Sequence, residues 1–73
     1  MFTGEDLRLL REFRQLDQDY LAVKVGRSQQ RVSAIENSPK VSPEWQERYL
    51  SGLECSADQA KQLLVVIRNF GGG

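Results

Sequence analysis

The chain has no histidine, one cysteine, one methionine, one tryptophan and only two prolines among its 73 residues. Without histidine, a Cys–His nucleophile pair, a Ser–His–Asp triad and a zinc site built on imidazole are all excluded within this sequence. A lone cysteine, Cys55, forms no internal disulfide and fits a reducing, cytoplasmic setting. No enzymatic activity, cofactor or metal is expected. No apolar run approaches the ~20 residues that cross a bilayer, so no membrane partner is expected. The opening MFTGEDLRLL also lacks the charged and apolar segments of a secretion signal. Net charge is missing too: ten Lys and Arg balance ten Asp and Glu. Taken alone, that balance speaks against an acidic partner such as a nucleic acid.

What is present is a globular balance of 40% hydrophobic and 27% charged residues, enough for one small domain with a modest core. The charges are unevenly spread. From Tyr20 to Ile35 the chain carries Lys24, Arg27 and Arg31 and no acid, whereas Glu44, Glu47, Glu54 and Asp58 crowd the second half. A neutral chain of this kind can present a basic face, although side chains that are merely solvated fit the same pattern.

Helix starts are well marked. Ser42-Pro43-Glu44 supplies a cap, a proline at the first helical position and an acid at the positive end of the dipole. Ser56 followed by Gln59 has the form of a capping box. Asp17, Ser28 and Thr3 are further candidate caps. Apolar spacing then predicts five helices. Leu7, Leu10 and Phe13, with Leu9 on a flank, mark the first near 4–14. Leu21, Ala22 and Val25 mark a second near 18–25, and Val32 with Ile35 a third near 29–36. Trp45, Tyr49, Leu50 and Leu53 mark a fourth near 43–52, with Trp45 and Tyr49 expected in the core. Ala60, Leu63, Leu64, Ile67 and Phe70 mark the fifth near 57–69. Only LLVVI at 63–67 has strand-like composition, and its capped context favours helix. The expectation is an all-α, compact five-helix domain over residues 1–70, with 71–73 a flexible glycine tail.

Between the second and third helices lie only Gly26, Arg27 and Ser28. So short a turn holds two helices at a steep angle, and glycine suits a left-handed helix end. This is a helix-turn-helix arrangement, whose second helix can enter the DNA major groove N-terminus first. On a helical wheel Val32 and Ile35 face one way, while Gln30, Ser33, Ala34 and Asn37, with Gln29 at the edge, face the other. Amides and small residues occupy a face where Lys and Glu are the usual solvated choice. Gln carries the donor–acceptor fork that matches adenine, small residues permit close approach, and Ala34 can meet a thymine methyl. Arg31 lies off that face, better placed for a phosphate.

DQDYLAVKVGRSQQRVSAIENS resembles the helix-turn-helix of the lambda-repressor-like (Xre/Cro-type) DNA-binding domains. Gln18 opens the second helix, Leu21-Ala22 lie within it, and Gly26 stands at the turn. Ser28 caps the third helix, which Val32, Ile35 and Glu36 close. SPEWQERYLSGLECSADQAKQLL resembles the family's last two helices, so the likeness runs from about Leu7 to Leu64. The resemblance implies that Gln18 contacts a phosphate and braces the third helix. It also implies that Gln29, Gln30 and Ala34 stand at base-reading positions and that Asn37 and Lys40 grip phosphates. Arg11 and Glu36 match a partly buried architectural ion pair. With Ser33 added to the base-reading set, and Arg27 and Arg31 to the phosphate set, double-stranded DNA is the expected partner. Two departures are the loop NSPKVSP, which offers Lys40 alone, and the acidic last two helices. Both predict weak nonspecific affinity.

The last helix is apolar around more of its surface than one core face requires. Leu64 and Ile67 serve the core, which leaves Val65, Val66 and Phe70 for a homodimer interface, ordinary burial being the alternative. Three functions stay open: a transcriptional repressor, the DNA-binding antitoxin of a toxin–antitoxin pair, and a protein-interaction module that kept the scaffold without binding DNA.

Overall fold

The computed structural model describes residues 2–71. They form five helices and, among the described residues, no strand: α1 (Gly4–Phe13), α2 (Gln18–Val25), α3 (Gln29–Glu36), α4 (Pro43–Gly52) and α5 (Ala57–Gly71). LLVVI lies inside α5. Gly71, expected in the tail, continues that helix, and Gly72 and Gly73 lie outside the described residues. No helix among the described residues is long and apolar enough to cross a membrane.

The polar residues ahead of each helix close its first turn. Thr3 and Asp6 form a reciprocal capping box on α1, and Ser56 and Gln59 do so on α5. Asp17, Ser28 and Ser42 accept from the amides of Tyr20, Arg31 and Trp45. α2 packs against both α3 and α4; α1 packs against α3 and α5. Their apolar faces meet in one core, where Leu7, Leu21, Val32, Tyr49 and Ala60 are fully buried. Phe2 and Val41 join it from positions just before the caps of α1 and α4, outside any helical stripe. Phe2 and Leu7 are spaced as a hydrophobic staple.

Trp45, expected in the core, is only half-buried and packs against its edge, and two residues of the expected stripes are exposed. Phe13 is 53% exposed and Phe70 86% exposed. Steps of three residues turn a helix by about 300°, so a 7, 10, 13 series drifts off its starting face by about 60° each time. Phe13 has thus rotated away from the side on which Leu7 and Leu10 are buried. Phe70 is likewise one step past Ile67, itself only packed at the core's edge.

The first turn of α1 sits directly on the last turn of α3. The Gly4 amide donates to the Ser38 carbonyl at 3.0 Å. A Cβ on Gly4 would fall 2.6 Å from the Glu36 carbonyl oxygen and closer still to that of Ile35. From the same first turn of α1, the nearly buried Asp6 pairs with Arg68 of α5. α1 is therefore the strut between α3 and α5.

Candidate nucleic-acid interface

Gly26 ends α2 at φ 71° and ψ 34°, the left-handed conformation expected of it. The Arg27 amide then returns to the Ala22 carbonyl at 3.0 Å, which tightens the turn before Ser28 caps α3. α2 buries Leu21, Ala22 and Val25, while α3 buries Val32 and Glu36 and half-buries Ile35. The opposite side of α3 is open: Gln29, Gln30, Arg31, Ala34 and Asn37 are exposed, and Ser33 is half-buried.

The half-buried side chain of Gln18 links this face to the interior. Its Nε2 donates to Glu36 Oε1 at 2.9 Å, and its Oε1 accepts from Gln29 Nε2 at 3.1 Å. Gln29 is thus held through Gln18 to a buried carboxylate. Gln30 makes no side-chain hydrogen bond among the described residues, so both ends of its amide are available. The Asn37 amide donates back to the Ser33 carbonyl at 3.0 Å, leaving its oxygen and one N–H outward. Arg27 reaches the Gly26 carbonyl at 3.0 Å. Among the described residues no carboxylate lies within 4 Å of Arg8, Arg27, Arg31 or Lys40. Lys24 is drawn the other way, toward Glu54 at 3.8 Å and the face of the Tyr20 ring.

Behind the open face, Glu36 is surrounded by donors. Arg11 Nε and Nη2 grip its two oxygens at 2.7 and 3.0 Å, and the Tyr49 hydroxyl donates at 2.5 Å. Arg11 also donates from Nη1 to the Leu16 carbonyl at 2.7 Å. The side chains of Arg11 and Glu36 are 9% and 1% exposed, so the ion pair joining α1 and α3 is more deeply buried than its sequence suggested. Burial is the largest single influence on the Glu36 carboxyl and pushes it up. The hydrogen bonds from Arg11, Tyr49 and Gln18, together with the Arg11 charge, outweigh it and hold the carboxyl below its ordinary range. The hydrogen bond to Glu36 raises Arg11 against the opposing effect of its own burial. Burial first, then the bond to Glu36, push the Tyr49 hydroxyl far up. Sequence spacing marked Tyr49 as core; its hydroxyl carried no signal of a partner thirteen residues away.

The apolar residues expected at an interface are split. Phe13, Val66, Ile67 and Phe70 line one shallow groove between the end of α1 and the end of α5. Val65 belongs to another, beside Phe2, Leu64 and the paired Asp6 and Arg68. Phe13 joins Val66 and Phe70 because it lies off the core, although its spacing had grouped it with Leu7 and Leu10.

A family model described as a helix-turn-helix domain matches residues 4–63, which takes in α1 to α4 and the first turns of α5. No curated protein and no solved structure matches the chain. With a capped α3 following a glycine-ended α2 across three residues, and a matching model over most of its length, the chain belongs to the helix-turn-helix domain family.

Proposed function

We propose that the chain is a sequence-specific regulator of transcription, acting in the cytoplasm as a repressor on double-stranded DNA. α3 enters the major groove N-terminus first, with Gln29, Gln30, Ser33 and Ala34 toward the bases. Gln18, Arg27, Arg31, Asn37 and Lys40 meet phosphates and set the register. The observation that carries this reading is the chain of hydrogen bonds from Glu36 through Gln18 to Gln29. A surface glutamine in the first turn of a helix ordinarily samples several rotamers. Here Gln29 is pre-oriented by a neighbour that itself is anchored on a buried ion pair, which lowers the entropy lost when it engages a base edge. The half-buried Ser33 takes part at the edge of the contact, and Ala34 contributes through its methyl group.

The exposed groove of Phe13, Val66 and Phe70 favours a partner on α5. A second copy of the chain is the proposed occupant, since a two-fold dimer presents two recognition helices to successive turns of the duplex. The antitoxin reading assigns that groove to a toxin instead, without altering the proposed DNA face.

The test is fluorescence anisotropy with a random-sequence duplex across a salt series, followed by operator selection. Binding that weakens steeply with salt, and sequence preference that relaxes in the double variant Gln29→Ala, Gln30→Ala, supports the reading. No binding at low salt and high protein concentration refutes it and leaves the protein-interaction module.

A further inference from the structure

The loop after α3 offers a duplex one cation, Lys40. A second stands beside it on another helix. Arg8 lies on the second turn of α1, exposed, and lines a groove of about 420 Å³ whose facing wall is Asn37, Ser38 and Pro39. That wall is the segment leaving the proposed recognition helix. Three residues on, Arg11 projects from the same side of α1 into the buried ion pair with Glu36 of α3, so this side of α1 faces the end of α3. The two walls are held at one separation by the Gly4 amide on the Ser38 carbonyl and by the Cβ-free contact of Gly4 with the last turn of α3. Arg8 is therefore carried at a set position relative to the helix proposed to enter the groove.

Resting on the DNA-binding reading above, we infer that Arg8 is a further phosphate-contacting residue, so that the first helix takes part in gripping the duplex beside Asn37 and Lys40. A guanidinium stays charged at all relevant pH and forks onto two phosphate oxygens. Glu36 in the groove floor does not oppose it, because Arg11 balances its charge. Glu5 does: its exposed carboxylate lines the same groove. The contact is consequently one of Arg8 itself, not of a broadly positive groove.

The experiment measures the salt dependence of binding to a random-sequence duplex for the wild type, Arg8→Gln, Arg8→Lys, Glu5→Gln and, as a control on α5, Lys61→Gln. Arg8→Gln is expected to make the negative slope of log K against log salt shallower by about 0.9, the value for one phosphate. Arg8→Lys keeps the slope, Lys61→Gln leaves it unchanged and Glu5→Gln binds more tightly. The melting temperature of Arg8→Gln stays at the wild-type value, since the Arg8 side chain makes no hydrogen bond or ion pair among the described residues. A salt-dependent wild type with the same slope and affinity in Arg8→Gln and Glu5→Gln overturns the inference while leaving the DNA-binding reading intact. A wild type that fails to bind at low salt overturns both.

Discussion

Replacing Gly4 with alanine adds one methyl group at the point where α1 rests on α3. The new Cβ would lie 2.6 Å from the carbonyl oxygen of Glu36 and 2.7 Å from its carbon, with the Ile35 oxygen closer still. All three are backbone atoms, so no side chain can rotate away to make room. Either α1 lifts off the end of α3, losing the 3.0 Å bond from the Gly4 amide to Ser38, or α3 itself shifts. Overpacking of this kind costs about 1–3 kcal/mol. Against it stands the usual advantage of alanine over glycine in a helix, at most about 1 kcal/mol. A net loss of about 1–2 kcal/mol lowers the melting temperature of a domain this size by about 5–15 °C. Thermal and urea unfolding followed by circular dichroism measure both quantities. Gly26→Ala is the instructive comparison, because a methyl there meets nothing within 4 Å and only the left-handed backbone is penalised. A Gly4→Ala variant as stable as the wild type, or more so, would show that α1 does not bear on α3 as described.

Three further outcomes follow from named contacts. Tyr49→Phe removes one donor from the buried Glu36 carboxylate and should cost about 1.5–3 kcal/mol at neutral pH. Glu36 has a folded pKa below its unfolded one, so its stabilisation is present above the unfolded value, about 4.3, and is lost as pH falls through the folded value. Losing the donor raises the folded value, so acid destabilisation in Tyr49→Phe begins at higher pH; superimposable urea midpoints from pH 7 to 3 would contradict this. Gln15 holds φ 59° with an exposed side chain that makes no hydrogen bond among the described residues, and Gln15→Gly should stabilise by about 0.5–1 kcal/mol in urea unfolding. The double variant Val66→Lys, Phe70→Glu should sediment as a monomer at tens of micromolar with its melting temperature little changed, whereas a wild type that is already monomeric there removes the dimer.

The five helices were legible in the sequence because each is announced locally. A side-chain acceptor stands at each start, an apolar rhythm follows, and Gly26 closes α2 where only a left-handed residue fits. These signals act within four residues, and so one strand of sequence carries them whole. The proposed base-facing residues were legible for the same reason: the open side of an eight-residue helix is known once Val32 marks its buried side. Tertiary packing alone decided the rest. It brought the Tyr49 hydroxyl to Glu36, locked Gln29 to Gln18, set Gly4 where no Cβ fits, and left Phe13 beside Val66 and Phe70 outside the core. Each of these depends on where two helices distant in the chain come to rest. Periodicity states which face of a helix is apolar, but only the packed neighbour determines how far along that face burial extends and which polar atoms it encloses.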